Sequence, residues 1–324
     1  MLSLLYACFI VIWQGLRFTP VGAWWPFELL DIFGLLTFVP LPCFLLFAVV
    51  AESRPSGMWL LVPVSVLLWD YSWVVLPQRP LPDGTPLRVM TANLLVSNRD
   101  VSRASALIAV EEPDIVALQE VSPPMAAHLE RSLREDYPYQ VLLPSDLSDG
   151  LGIGLLSRYP LHAEPETGWY SHVCGCQRVT VDVSGQTLSL VNAHPPPPTI
   201  GYVRVRSVSL PVSFDGRTTS RMIEAALDGI DVHQRPVIVA GDLNTSDRQP
   251  MYRRLRRDLL DAYREAGWGL GNTFPALGFE GILGVSVIRI DYILHNASFA
   301  TRAAWTGTIP GSDHRYVVAD LLLR

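Results

Sequence analysis

The chain has 324 residues, of which 49% are hydrophobic and 17% are charged, and its net charge is −6. The apolar residues are concentrated at the start, where 52 of the first 77 residues are apolar and only six are charged. The other 247 residues carry 23 Arg against 27 Asp and Glu, and the whole chain contains no Lys. This balance argues against a protein that binds nucleic acid through a general basic excess, without excluding a nuclease. The composition predicts an apolar region, residues 1–77, followed by one globular domain large enough for its own core.

Three apolar runs fill the first region, at Leu2–Leu16, Leu29–Val50 and Met58–Leu76. A transmembrane helix needs about 20 apolar residues, with roughly 17 to 25 tolerated, so we predict about three transmembrane helices. Six of the nine Trp lie in this region, which is typical of residues at membrane interfaces. Two alternatives are a cleaved signal peptide for the first run and an apolar docking subdomain. The first run lacks the charged start and the small-residue cleavage site of a signal peptide.

The apolar region also sets the expected location, a multi-pass protein of the cell membrane. The short turn Glu52–Gly57 is interpreted as cytoplasmic, and with three spans this places the globular domain outside the cytoplasm. Residues 78–86 are rich in proline and predict a stiff, extended linker, because proline fixes its own backbone and cannot continue a helix.

Beyond the linker, short β-type runs alternate with helical patterns, which is typical of a layered α/β or α+β domain. The predicted strands are Leu87–Thr91, Ile115–Leu118, Gly152–Ser157, Val179–Val183, Leu188–Asn192, Val237–Ala240 and Arg289–Leu294. The predicted helices are Val101–Glu111, Met125–Arg134, Thr218–Ile230 and Pro250–Ala266.

Many of these apolar strands end in a carboxylate, amide or imidazole. Any one such residue has an ordinary explanation as a turn former or helix cap. Six such endings in one domain indicate a site, because strand ends hold side chains in fixed mutual geometry. The residues are Asn93, Glu120, His194, Asp242 with Asn244, Asp291, and Asp313 with His314.

This series of motifs resembles the endonuclease/exonuclease/phosphatase superfamily over residues 87–324. The motifs occur in the family's order: Leu-Gln-Glu, Asn-Ala-His, Gly-Asp-Leu-Asn, Arg-Ile-Asp-Tyr and a terminal Ser-Asp-His. The resemblance implies a four-layer sandwich of α/β (α+β) class, with two mixed β-sheets flanked by helices and preceded here by the transmembrane segment. It also implies a metal-dependent phosphoric ester hydrolase.

Carried over to this chain, the resemblance implies a role for each residue at the strand ends. Glu120 would bind a divalent cation, with Asn93 and Asp313 beside it. The cation is expected to be Mg²⁺, with Mn²⁺ as a substitute, since hard cations prefer oxygen ligands. The implied catalytic residues are His194, Asp242, Asn244, Asp291 and His314. Asp242 would activate water, Asn244 would hold a phosphoryl oxygen or the nucleophile, and the imidazoles would donate to phosphoryl oxygens, one of them oriented by Asp291.

The substrate is less defined by the sequence. Arg204 and Arg206 alternate on an extended stretch and are candidates for binding the substrate phosphate. The favoured substrate is a lipid headgroup or another surface phosphate ester, with the lipid bilayer as partner; a membrane-tethered nuclease acting on DNA or RNA and a non-catalytic scaffold are the alternatives. Cys174 and Cys176 lack the further ligands of a zinc site, and they would form a redox-sensitive pair in an oxidising compartment.

Overall fold

The computed structural model describes residues 1–74, 83–145, 151–164, 168–206, 208–276 and 286–324. Most of the linker predicted at residues 78–86 lies outside the described residues. The chain forms two compact units. The N-terminal unit contains Met1–Leu76 together with two later segments, Thr199–Asp215 and Arg248–Pro250, and the two-sheet unit contains the remainder. The sequence did not predict that the later segments belong with the apolar region.

The N-terminal unit is built from short helices around an apolar core. The helices are α1 Leu2–Leu16, α2 Trp25–Ile32, α3 Leu41–Val50 and α4 Arg54–Tyr71, with 3-10 helices at Pro20–Ala23, Gly34–Phe38 and Ser72–Val74. Ile10, Trp13 and Leu60 are fully or almost fully buried between them. Many other large apolar side chains of the same helices, such as Phe9 and Trp69, are exposed.

The predicted span Leu29–Val50 is not one helix. α2 ends at Ile32 and α3 begins at Leu41, and the two halves of the run are bent by 75°. Gly34 has a low helix propensity, and Pro40 lacks the amide that a continuous helix would need. Within the described ranges, no single helix is both long and apolar enough to cross a membrane, whereas this bent pair passes on length and composition.

Four charged side chains are buried together in the N-terminal unit. Asp70 Oδ2 lies 3.1 Å from Arg17 Nη1 and 2.8 Å from Arg248 Nη2, and Asp31 Oδ1 lies 3.3 and 3.6 Å from the Nε atoms of the same two arginines. The side chains are only 6 to 9% exposed, and their charges cancel. Breaking a buried pair typically costs about 3 to 5 kcal/mol, because one charge is left uncompensated. These contacts explain why Arg248 belongs to this unit.

The two-sheet unit contains two six-stranded mixed sheets. In the first, the strand order is β13-β14-β1-β2-β4-β3, and only β1 and β2 run parallel. Its strands are β1 Thr85–Asn93, β2 Ile115–Gln119, β3 Tyr139–Leu143, β4 Ile153–Ser157, β13 Phe299–Thr308 and β14 Arg315–Leu323. In the second, the order is β11-β12-β10-β7-β6-β5, and β7 and β10 run parallel. Its strands are β5 Leu161–Ala163, β6 Cys176–Val183, β7 Gln186–Ala193, β10 Val237–Asp242, β11 Leu260–Asp261 and β12 Asp291–His295.

Buried polar side chains join the inner faces of the two sheets. Gln119 donates to Oδ1 of Asn192 at 2.7 Å, and Asn192 donates to the carbonyl oxygens of Leu118 and Gly154. Helices cover the outer faces: α5 Val101–Glu111 and α6 Pro123–Ser132 on the first sheet, and α7 Arg217–Leu227 and α8 Pro250–Leu255 on the second. The predicted arrangement of two mixed sheets flanked by helices is therefore confirmed.

The predicted helix Pro250–Ala266 is wrong in its middle. After α8 the chain forms the short strand β11, and a separate helix, α9, covers Ala262–Ala266. Asp261 interrupts the helical run because its buried carboxylate accepts from the backbone N–H of Tyr263 and is paired with Arg289 at 2.7 Å. A tertiary ion pair thus overrides the local helical pattern.

Candidate active site

Two neighbouring parallel strands of the first sheet deliver Asn93 and Glu120 to one edge. Asn93 is the last residue of β1 and Glu120 directly follows β2. The Asn93 amide donates to Oε1 of Glu120 at 2.9 Å and to Oδ2 of Asp242 at 3.1 Å. Asn93 therefore links carboxylates that come from the two different sheets.

Glu120 has a left-handed backbone, with φ of +54°. This conformation is uncommon for residues other than glycine and is found at functional sites that the surrounding structure holds in place. Oε2 of Glu120 accepts from the backbone N–H of Val96 at 3.1 Å, which fixes the second oxygen. The carboxylate is 19% exposed, so a small ligand has access to it.

The second sheet supplies Asp242 and Asp291, which face each other across the antiparallel pair of β10 and β12. Oδ1 of Asp242 accepts from the backbone N–H of Asn244 at 2.9 Å, and the Asn244 amide donates to the Pro195 carbonyl at 3.0 Å. Gly241, just before Asp242, has φ of +144°, and a Cβ there would lie 2.0 Å from the Ala193 carbonyl oxygen. Only glycine allows β10 and β7 to approach this closely.

His314 is held by a buried carboxylate. Its Nδ1 lies 3.0 Å from Oδ2 of Asp291, its ring centroid is 4.9 Å from that of Phe274, and its Nε2 is 3.7 Å from Oδ2 of Asp242. Burial of the imidazole opposes protonation, but the carboxylates of Asp291 and Asp242 outweigh it and raise the pKa of His314 to about 10. His314 is therefore held as a cation at neutral pH.

His194 reaches the same carboxylates from the end of β7. Its Nε2 lies 3.7 Å from Oδ2 of Asp242 and 3.9 Å from Oε1 of Glu120. Its backbone N–H donates to the Gly175 carbonyl at 2.9 Å. Gly175 lies between Cys174 and Cys176, which form a disulfide, so the predicted pair is oxidised in this structure.

Asp313 also lies among these charges. Burial raises the pKa of its carboxyl, and the Glu120 and Asp242 carboxylates add to that effect while His314 opposes it. Oδ1 of Asp313 is buried and makes no hydrogen bond to any residue in the described part of the chain. A buried carboxylate oxygen in this position is suited to bind a cation as one of its ligands.

The structure thus brings eight of the ten predicted site residues together within the two-sheet unit, and the other two are the arginines. Arg204 and Arg206 are exposed on a β-hairpin that belongs to the N-terminal unit. Their predicted contact with substrate stays a prediction.

Three supporting side chains had no role in the sequence interpretation. Ser312 donates to the Asn93 carbonyl at 2.7 Å and accepts from the His314 backbone N–H at 3.0 Å, so it ties the two strand ends together. Thr273 accepts from the backbone N–H of Asp291, and Phe274 packs on His314. Ser312 lies within the Ser-Asp-His motif, but nothing in the sequence around Thr273 and Phe274 signals their position.

Comparisons with known proteins agree with this geometry. The model of the endonuclease/exonuclease/phosphatase family matches residues 90–314, and the chain belongs to this family. It is therefore a metal-dependent phosphoric ester hydrolase, and a purely non-catalytic scaffold is set aside. Among curated proteins, none matches this chain.

Solved structures share the fold at low sequence identity. An endonuclease/exonuclease/phosphatase from Beutenbergia cavernae is 24% identical with a TM-score of 0.50, covering 74% of this chain and 72% of that one. The corresponding protein from Bacteroides vulgatus is 21% identical with a TM-score of 0.52, covering 74% and 100%. D. rerio TDP2, solved in complex with a single-strand DNA product, is 16% identical with a TM-score of 0.54, covering 73% and 99%.

Proposed function

We propose that this protein is a membrane-associated phosphodiesterase or phosphomonoesterase that uses Mg²⁺, or Mn²⁺ in its place, to hydrolyse a lipid headgroup or another surface phosphate ester. One observation carries the chemistry: the imidazoles of His194 and His314 both place Nε2 3.7 Å from the same oxygen of Asp242, beside Glu120. Two donors and several carboxylates around one small volume match the needs of a phosphoryl group under attack by water.

Glu120 and Asp313, with Asn93 beside them, are assigned as the residues that would hold the cation. The unbonded Oδ1 of Asp313 and the mutual repulsion of these carboxylates support this assignment, because a cation would relieve both. When bound, the cation stabilises negative charge on the phosphoryl oxygens and the leaving oxygen. A second group, Asp242, Asp291 and His314, has ligand atoms within 4.8 Å of one another. We favour the first set because Asp291 and His314 already bond each other.

Asp242 is assigned as the base that orients water and takes its proton. Its Oδ1 accepts from the Asn244 N–H, and its Oδ2 accepts from the Asn93 amide and faces the two imidazoles. The water oxygen bonds to phosphorus as the ester P–O bond breaks, and the released oxygen leaves as an alcohol or alkoxide that gains a proton. His314, cationic through its contact with Asp291, and His194 donate to the nonbridging oxygens, where charge accumulates. Asn244 donates to one of these oxygens or to the nucleophile.

The membrane part of the proposal is supported by the N-terminal unit. Its helices expose large apolar side chains that include Leu5, Ile12, Val50 and Trp69. Exposed apolar area of this extent is typical of a membrane or protein interface. We place the protein at the cell membrane as a multi-pass protein with its catalytic domain outside the cytoplasm. Protease protection of the C-terminus in sealed vesicles tests that orientation. We expect the protease to digest the catalytic domain only when it is added to the side of the membrane that faces away from the cytoplasm.

A membrane-tethered nuclease is the second candidate. It is favoured by the relation in fold to TDP2, whose structure contains single-strand DNA. The charge balance after Pro77, 23 Arg against 27 acidic residues, favours the ester of a lipid or small molecule, because proteins that bind nucleic acid through its phosphates usually carry a basic excess.

A substrate panel distinguishes the two candidates. The full chain, purified in detergent, would be assayed with Mg²⁺ or Mn²⁺ against phospholipids, plasmid DNA, RNA and bis-p-nitrophenyl phosphate. We expect turnover of the phospholipid and the small diester, lost on chelation and in Glu120→Ala. The matched control is Glu130→Ala, a carboxylate on α6 outside the site. Efficient cleavage of DNA with untouched lipids would establish the nuclease instead.

A further inference from the structure

The segment between His194 and α7 forms a two-stranded hairpin with an apolar face. Its strands are β8 Thr199–Val205 and β9 Val208–Asp215, and both belong to the N-terminal unit. Val203 pairs with Leu210 and Val205 pairs with Val208. Because side chains alternate across a strand, these two cross-strand pairs lie on one face.

All four of these aliphatic side chains are open to solvent. Val203, Val205, Val208 and Leu210 are 45, 51, 55 and 46% exposed. Aliphatic side chains are unusual at an exposed turn, where polar residues are common. In addition, an isolated two-stranded hairpin is only marginally stable in water. A contiguous exposed aliphatic face of this kind marks a surface that is covered when the protein works.

The opposite face of the hairpin is polar and basic near its tip, whereas Tyr202 and Pro211 lie on this face toward the base. Arg204 pairs with Ser209 across the strands, and Arg206 stands at the turn. The hairpin, residues 199–215, contains these two arginines and a single acidic residue, Asp215, at the end of β9. The hairpin thus combines four aliphatic side chains on one face with two long cationic side chains that can reach sideways to a charged surface.

We propose that the hairpin lies in the interface of an anionic lipid bilayer, with Val203, Val205, Val208 and Leu210 among the acyl chains and Arg204 and Arg206 at the lipid phosphates. Basic residues near an anionic membrane surface are attracted to its phosphates. A second copy of the chain fits less well, because it would bring the positive charges of two hairpins together. This inference rests on the membrane-surface function proposed above and adds a contact that the N-terminal helices do not provide.

The base of the hairpin contacts the helices of its own unit through the face opposite the aliphatic pairs. An apolar groove of about 740 Å³ is lined by Tyr202 and Pro211, which pair with each other on the Arg204 face, together with Phe9 of α1 and Leu29 of α2. The face that carries Val203 and Leu210 therefore lies on the other side of the hairpin from this groove and is left open to a bilayer.

The hairpin also has a defined relation to the site along the chain. β8 begins five residues after His194, with Pro195–Pro198 between them. Four consecutive prolines form a stiff connection. Binding of the hairpin to a bilayer would therefore restrain the chain that leaves His194, which favours substrates embedded in that bilayer over free ones.

Depth-dependent fluorescence quenching tests the contact without relying on activity. The full chain, with the exposed Cys8 and Cys43 changed to Ser, would carry an environment-sensitive label at Leu210→Cys or, as matched control on the other face, at Ser209→Cys. Each would be reconstituted in vesicles of phosphatidylcholine and phosphatidylglycerol at 7:3. We expect doxyl-labelled lipid to quench the label at position 210 and aqueous iodide to quench the label at position 209.

Equal access of iodide to both labels would overturn the proposal. Protection from both quenchers, with oxidative crosslinking of Leu210→Cys chains, would assign the face to a second copy instead.

Activity supplies the second arm. Leu210→Asp places a charge on the aliphatic face, whereas Ser209→Asp places it on the polar face. We expect Leu210→Asp to lower hydrolysis of vesicle phospholipid about tenfold or more, corresponding to at least 1.4 kcal/mol, with turnover of bis-p-nitrophenyl phosphate unchanged within about twofold. Equal activity of the two variants on vesicles would contradict the hairpin contact. Absence of phospholipid hydrolysis in the unmodified chain would instead contradict the proposed substrate, while leaving the quenching result to decide the contact.

Discussion

The two imidazoles of the site occupy equivalent positions but are held in different ways. Each places Nε2 3.7 Å from Oδ2 of Asp242. His314 is held through its side chain, by the Asp291 carboxylate at Nδ1 and by the ring of Phe274. His194 is held through its backbone N–H, and its Nδ1 makes no hydrogen bond among the residues the structure describes.

The two imidazoles therefore depend on different parts of the structure. The buried carboxylate of Asp291 fixes both the orientation of His314 and its cationic state. The position of His194 depends on the end of β7 and on the turn at Gly175. Removal of a carboxylate should therefore affect the first imidazole, and loosening of the backbone should affect the second.

Loss of the His314 ring should have the largest effect. We expect His314→Ala to lower kcat about 100- to 1000-fold, the usual consequence of removing one donor to transition-state charge. The measurement is turnover of bis-p-nitrophenyl phosphate with Mg²⁺. His162→Ala is the matched control, since His162 is exposed and pairs with Asp182 on the surface. A decrease below about tenfold would mean that His314 contributes little to the charged transition state.

Removal of the Asp291 carboxylate should have a smaller effect with a distinct pH signature. We expect Asp291→Asn to lower kcat about 10- to 100-fold, as for other residues that orient a reacting group. The carboxylate raises the pKa of His314, so its loss lowers that pKa and the cation is lost at a lower pH. The alkaline limb of the pH–rate profile should therefore move to lower pH. An unchanged limb in Asp291→Asn, compared with the surface variant Asp182→Asn, would contradict this account.

The polar residues at strand ends were predictable because each one directly follows an apolar β-type run in the sequence. Asn93, Glu120, Asp242, Asp291 and His314 could be found in this way. Their mutual geometry depends on strand order, which no local pattern encodes. The resemblance to a known family supplied the expectation of two mixed sheets, which the structure confirms, but it supplied no order of strands.

Elements that depend on tertiary contacts were missed. β13 is rich in Ala and Thr and lacks a clear alternating pattern, so the sequence gives little indication of a strand at Phe299–Thr308. The helix predicted through Asp261 is broken by an ion pair with Arg289, a residue distant in sequence. The sequence predicted only an extended stretch around Arg204 where the structure has the hairpin of β8 and β9. The register of the two strands determines which side chains share a face, and that register cannot be read from either strand alone.

The turn that supports His194 should give the smallest effect. Gly175 has φ of +58°, and its carbonyl accepts the His194 N–H between the two cysteines of the disulfide. Two electrons and two protons from dithiothreitol would convert the disulfide to two thiols and release this constraint. We expect reduction to lower kcat about three- to tenfold, or roughly 1 kcal/mol in the barrier, with KM little changed.

The double variant Cys174→Ser with Cys176→Ser should start at that lower kcat and no longer respond to dithiothreitol. Replacement of Cys8 and Cys43, which are free and exposed, is the control and should leave the response intact. Full activity of the double variant would show that the end of β7 alone positions His194.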